Sequence, residues 1–186
     1  MENYLLDGDA LASSRYNNLG LPPAEIERSM TDRAGRLCWW AACRDVLAEL
    51  KRRFRLGFIA DPGQSIVDEM AARQHICGSS WFQKLATEVA CSTEADIHTL
   101  LAEAHAVSTT RLGDGTWRDE FSGKEILRDV SSRFCHRPAI PSFPAKDAEF
   151  YADLAKDVAA WQVANGKQPA DLVDLLTALK SRIARA

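Results

Sequence analysis

Apolar residues recur at steps of three and four along most of the chain, which is the spacing of amphipathic helices. The clearest stripe consists of Leu37, Trp40, Ala41, Leu47 and Leu50. It predicts a long helix that begins after an N-cap at Thr31 and ends near Arg53. Similar stripes predict helices over residues 80–90, 94–106 and 122–134, and two more beyond residue 146. The pattern therefore predicts an all-α fold, or a mainly α one, with about seven helices.

Several helix starts carry recognisable caps. Asp61-Pro62 predicts the start of a helix that contains Ile66 and Met70, because proline is tolerated in a first turn. Ser92 or Thr93 predicts the cap of the helix over 94–106. Ser122 and Glu125, three residues apart, match a capping box.

One segment departs from the helical pattern. Residues 107–118, VSTTRLGDGTWR, are rich in Thr and Val and contain a Gly-Asp-Gly turn. Such a composition predicts a small β-hairpin, with Arg111 and Arg118 on either side of its turn.

Prolines suggest a boundary late in the chain. Residues 138–145 contain three of them and predict a linker between a main helical body, residues 1–137, and a C-terminal helical hairpin, residues 146–186. One stripe of the hairpin comprises Phe150, Leu154, Val158 and Trp161, and the other comprises Leu172, Leu176, Leu179 and Ile183. Such a hairpin can pack on the main body or on a second copy of itself.

A tight break at Ile76-Cys77-Gly78-Ser79 separates two short helical patterns within residues 64–90. This is the layout of a helix-turn-helix, whose second helix can enter the DNA major groove. The runs Ala72–His75 and Ser80–Leu85 resemble the helix-turn-helix segments of bacterial transposases and phage regulators, over about 20 residues. In that motif the glycine usually stands where this chain has Ile76. Two interpretations therefore remain open: a DNA-reading element, or two packed helices without DNA contact.

The helix-turn-helix interpretation assigns a role to each face of the second helix. Its inner face, with the break residues Ile76 and Cys77, would fill the core. Its outer face would present side chains suited to base edges and phosphates. These predicted DNA-binding residues are Ser79, Ser80, Gln83, Lys84 and Thr87.

The charge is distributed unevenly around this candidate. The net formal charge is −3, yet residues 30–90 contain nine basic and seven acidic residues. Lys51, Arg52, Arg53 and Arg55 end the long predicted helix. They predict a phosphate-contacting patch, although basic residues also favour a helix C-terminus through its dipole alone.

Other chemistry finds little support in the sequence. The cysteines and histidines lack the paired short spacings of structural zinc sites, so we expect no metal ligands. No spacing indicates catalytic residues or a cofactor site. The chain begins without a basic, apolar leader, and its longest apolar run, Leu37–Cys43, is too short to cross a bilayer. Five cysteines, an odd number, favour a reduced, cytoplasmic protein.

These observations predict a non-enzymatic protein that binds double-stranded DNA, such as a regulator or a mobile-element accessory factor. A palindromic site would require a homodimer. The alternative is a helical interaction subunit that binds another protein through an aromatic patch around Trp39, Trp40 or Trp81.

Overall fold

A computed structural model describes residues 2–57, 59–63, 65–89, 93–140, 143–144 and 146–183. Over these residues the chain forms ten α-helices, two short 3₁₀ turns and no strand. The predicted all-α class is thereby confirmed. The helices are α1 Gly8–Ser13, α2 Pro23–Arg36, α3 Cys38–Phe54, α4 Glu69–Cys77, α5 Ser80–Val89, α6 Glu94–Asp114, α7 Trp117–Glu120, α8 Gly123–Phe134, α9 Asp147–Ala164 and α10 Ala170–Ile183. The 3₁₀ turns are Glu2–Leu5 and Arg137–Ala139.

The predicted β-hairpin over residues 107–118 is wrong. Helix α6 continues to Asp114, Gly115 ends it with a left-handed φ of 86°, and the short α7 follows. The helical repeat persists because Ser108 is fully buried and Leu112 lies against Gly35 of α2. Packing along the whole helix has outweighed the local β propensity of Val and Thr.

Two predicted helix starts also differ from the structure. Thr31 is no N-cap, because α2 runs through it and Leu37 forms the break before α3. Asp61-Pro62 precedes an irregular segment instead of a helix. The cap of α4 is Asp68, whose carboxylate accepts a hydrogen bond from the Ala71 amide at 2.8 Å.

The chain divides into two compact units, the first comprising residues 1–30 and 122–186 and the second residues 31–121. In the second unit, α3 packs along α6, and α4 packs on both. Its core contains fully buried side chains of Cys43, Ile76, Ile97 and Leu101. This core supports α4 and α5, the two helices of the candidate site.

The first unit packs α9 against α1 and the N-terminal 3₁₀ turn. Phe150, Leu154 and Val158 of α9 are buried, as its stripe predicts. Trp161 is only half-buried, and Gln162 is buried in its place and donates to the Tyr4 carbonyl at 3.0 Å.

The predicted linker, residues 138–145, includes Pro141, Ser142 and Ala145, which lie outside the described residues. The division of the chain there stays a prediction. The same holds for the second stripe of the hairpin, because the side chains of Leu176, Leu179 and Ile183 also lie outside them. None of the described helices combines the length and the apolar character that a membrane span needs.

Candidate nucleic-acid interface

Helices α4 and α5 meet at a break of two residues, Gly78 and Ser79. Gly78 donates its amide to the Gln74 carbonyl, and the Ser79 hydroxyl donates to the Ile76 carbonyl at 2.6 Å. Gly78 has right-handed dihedral angles, φ −76° and ψ −10°. The break therefore lacks the left-handed turn that glycine usually supplies in helix-turn-helix segments.

Glycine is needed at this break for space. A Cβ atom at position 78 would lie 2.6 Å from the Gln74 carbonyl oxygen. That contact is with backbone, which cannot rotate away as a side chain can. Any other residue would therefore force the two helices to shift.

The inner faces of both helices are buried, as the helix-turn-helix pattern requires. Ile76 is fully buried at the break, and Phe82 and Leu85 are buried on α5. Cys77, which the pattern also places in the core, is half-buried. Burial raises the pKa of its thiol, and the neighbouring Glu94 carboxylate raises it further.

The outer face of α5 presents four of the predicted DNA-binding residues. Ser80, Gln83, Lys84 and Thr87 are all exposed. Among the described residues, the Gln83 and Lys84 side chains have no hydrogen-bond or ionic partner, so their polar ends can bind a ligand. The Thr87 hydroxyl already donates within the helix, with the Gln83 and Lys84 carbonyls at 2.9 and 2.8 Å.

Ser79, the fifth predicted residue, serves the turn instead. It is half-buried, its hydroxyl bonds to the Ile76 carbonyl, and its own carbonyl accepts the Gln83 amide. Gln64 and Ala90, the ends of the predicted motif, lie outside the described residues.

The predicted basic patch is exposed at the end of α3. Lys51 and Arg55 have no ionic partner in the described part of the chain, whereas Arg52 pairs with Glu49 at 2.8 Å. Arg53 lies over the Phe54 ring. Arg55 ends the helix with a left-handed φ of 51°. Lys51 and Arg55 are therefore the cations best able to contact phosphate.

One edge of α5 borders an acidic helix start. A cleft of about 390 Å³ is lined by Gln83 and Thr87 on one side and by Thr93 and Glu94 on the other. The Glu94 carboxylate would repel a phosphate placed there. Ser80 and Lys84 do not line this cleft, so phosphate contact is favoured on their side of the helix.

The tryptophans of the alternative interpretation are all half-buried against the core. Trp39 stacks on His105 with ring centroids 3.8 Å apart, and burial lowers the pKa of that histidine. The Trp40 indole donates to the Pro62 carbonyl at 2.8 Å, and Trp81 lies edge-on to Phe82. Each ring thus has an intramolecular partner, which weakens the case for an aromatic docking patch.

The sequence did not reveal a charged network in the same unit. Arg111, expected beside a hairpin turn, is half-buried and pairs with Asp45 at 3.1 Å and with Glu120 at 3.5 Å. Arg44 also pairs with Asp45 and donates to the Glu120 carbonyl. These ion pairs and hydrogen bonds connect α3, α6 and α7. The charges of the paired residues are therefore compensated within the second unit.

The described cysteines and histidines form no disulfide and no cluster that could hold a metal ion. Over this part of the chain, Cys38, Cys43, Cys77 and Cys135 are free thiols, and no three metal-binding side chains lie close enough to share an ion. Cys91 lies outside the described residues. In comparisons with known proteins, no family model, curated protein or solved structure matches this chain.

Proposed function

We propose that the second unit binds double-stranded DNA, with the outer face of α5 towards the duplex. The observation that carries the proposal is the two-sided character of this helix. Phe82 and Leu85 anchor it to the core, while Gln83 and Lys84, whose side chains have no partner among the described residues, lie on its solvent face. An exposed polar helix on a rigid support is what major-groove recognition requires.

The exposed polar and basic side chains differ in which part of the DNA they can contact. Gln83 can form a bidentate pair with an adenine edge, and Lys84 can donate to guanine or to a phosphate. Ser80 supplies a hydroxyl near the start of the helix. Lys51 and Arg55 contribute backbone contacts, which hold the protein on DNA without reading sequence. In this proposal Ser79 shapes the turn, and Thr87 contributes less because its hydroxyl is already bonded.

We also propose that the protein acts as a homodimer, as a palindromic site demands. Helix α10 favours this proposal because Leu172, Val173 and Leu175 are exposed on it. Light scattering at increasing concentration tests it, and a monomer mass throughout would contradict it.

A DNA-bound role and the free thiols both fit a reducing, cytoplasmic location. When fresh cell extract is denatured in urea without added reductant, alkylation of all five cysteines is the expected result.

A protein partner remains the second candidate for this surface. Met70, in the first turn of α4, is 77% exposed, and Val67, just before that helix, is 63% exposed. Large apolar side chains with such exposure are typical of protein contacts when they cluster. The same mutations distinguish the two functions, because Lys84→Glu should abolish DNA binding and barely affect an apolar contact.

The proposal is tested by fluorescence anisotropy of the full chain with a labelled random-sequence duplex. Three phosphate contacts give a slope of about −2.7 when the logarithm of the binding constant is plotted against the logarithm of salt concentration. Affinity should therefore fall ~40-fold between ~50 and ~200 mM salt. Lys84→Glu should abolish binding, and the double variant Lys51→Glu/Arg55→Glu should weaken it. Lys146→Glu, an exposed lysine of the first unit, is the matched control. Absence of binding at ~50 mM salt, or equal effects of Lys84→Glu and Lys146→Glu, would overturn the proposal.

A further inference from the structure

The first unit contains a cleft that no part of the DNA-binding proposal uses. Its volume is about 510 Å³, within the range of small-molecule sites, which is ~300–1,000 Å³. The lining comes from two helices, with Lys124, Leu127 and Arg128 on α8 and Asp147, Ala148 and Tyr151 on α9. Apolar, aromatic and charged groups thus meet in one concave surface.

The charges that line the cleft are unequally compensated. Arg128 pairs with Glu125 at 2.6 Å, and Asp147 pairs with Arg137 at 2.8 Å. Lys124 is exposed and has no ionic or hydrogen-bond partner in the described part of the chain. The cleft therefore has one positive charge to offer a ligand.

Tyr151 provides a second, independent indication of a ligand. Its hydroxyl is buried, and no described residue forms a hydrogen bond with it. Folding has removed this group from water without giving it a partner in the described part of the chain, which is unfavourable. A bound acceptor would restore the missing hydrogen bond, and a charged acceptor forms the stronger bond.

We propose that this cleft binds a small organic carboxylate with an apolar body. The lining side chains move apart to admit the ligand, so that the Tyr151 hydroxyl, which water does not reach in the empty cleft, donates to a carboxylate oxygen. The Lys124 ammonium balances the negative charge. Leu127, Ala148 and the Tyr151 ring contact the apolar body. The site lies in a different unit from α5, so this proposal does not depend on whether the protein binds DNA.

The test uses phenylacetate and hexanoate as probes, with the full chain observed by NMR titration. Benzyl alcohol and benzylamine are the neutral and cationic analogues of phenylacetate. Both carboxylates should bind, and the two analogues should not. Tyr151→Phe should weaken binding by about tenfold, since it removes a hydrogen bond to a charged group. Lys124→Gln should weaken it by about threefold, as expected for an exposed charge. Lys180→Gln, an exposed lysine outside the cleft, should leave affinity unchanged.

Thermal unfolding provides the control for folding. Tyr151→Phe removes only a hydroxyl that has no partner among the described residues, so its unfolding midpoint should equal or exceed that of the original protein. A lower midpoint would show that the hydroxyl has an internal partner, and the proposal would fail. It also fails if neither carboxylate binds at about 10 mM, if benzyl alcohol binds as tightly as phenylacetate, or if Tyr151→Phe binds with unchanged affinity.

Discussion

Gly78 places a steric limit on the break between α4 and α5, and this limit can be measured. A Cβ at this position would lie 2.6 Å from the Gln74 carbonyl oxygen. We expect Gly78→Ala to lower the free energy of unfolding by about 1–3 kcal/mol, as overpacking typically does. Urea unfolding followed by circular dichroism measures the loss.

Gly113 provides the matched control within the same unit. It lies in α6, and nothing occupies the space where its Cβ would stand. Gly113→Ala should therefore stabilise the protein by roughly 0.4–1 kcal/mol, through a less flexible unfolded chain. Equal effects of the two substitutions would show that the close approach at Gly78 does not govern the break.

At the residue scale, the sequence predicted which side chains are exposed better than it predicted which hydrogen bonds they form. Helical periodicity alone places Ser80, Gln83 and Lys84 on the outer face, where the structure also has them. It could not show that the Ser79 hydroxyl is used at the turn, or that the Thr87 hydroxyl bonds within its helix. Both bonds are made to carbonyls three or four residues earlier, and residue spacing does not show whether a Ser or Thr hydroxyl takes such a local partner or stays free for a ligand.

Helix α6 begins with a reciprocal cap that should contribute measurably to stability. The Asp96 carboxylate accepts the Thr93 amide at 2.7 Å, and the Thr93 hydroxyl oxygen accepts the Asp96 amide at 3.3 Å. The hydrogen bond from the Thr93 amide is the main reason that the pKa of Asp96 lies below its ordinary value. Thr93→Ala should destabilise the protein by about 1 kcal/mol in urea unfolding at neutral pH.

The cap also makes a prediction about pH. The folded pKa of Asp96 is lowered, so its contribution is present above the unfolded pKa and is lost as pH falls through the folded one. Thr93→Ala keeps the amide bond but removes the bond that the Thr93 hydroxyl donates to the same carboxylate at 3.0 Å, so the part of the deficit due to that bond should disappear in acid. Thr99→Ala, on an exposed turn of the same helix, should show neither the deficit nor its pH dependence. A loss of stability in Thr93→Ala that is the same below pH ~3 as at neutral pH would contradict this account.

The caps and the hairpin segment show what the sequence could predict at the scale of elements. Residue type and position offered Ser92 or Thr93 as the cap of α6, and the structure has Thr93. Ser122 begins α8 as predicted, but its side chain makes no cap bond, and Glu125 pairs with Arg128 instead. Residues 107–114 are helical because long-range packing on α3 favours the helix, and a local window contains no information about that contact.

At the scale of the whole molecule, the linker over residues 138–145 stays a prediction, because Pro141, Ser142 and Ala145 lie outside the described residues. The sequence did not indicate the two compact units, residues 1–30 with 122–186 and residues 31–121. A unit assembled from both ends of the chain leaves no local signal, because its two segments meet only after folding. Proline content marks irregular backbone and does not report which helices pack together.

The second unit is continuous in sequence and has its own core, which makes it testable in isolation. We expect residues 23–121, chosen to keep α2 whole, to unfold cooperatively in urea and to bind duplex DNA within about threefold of the full chain's affinity. Cys43 reports on the core directly, because it is fully buried and burial raises the pKa of its thiol to about 12. At pH ~8 it should resist alkylation until urea unfolds the fragment, whereas an ordinary exposed thiol reacts at once. Rapid alkylation of Cys43 without urea would show that this core needs the rest of the chain. A folded fragment that no longer binds DNA would instead assign the binding surface to residues outside it.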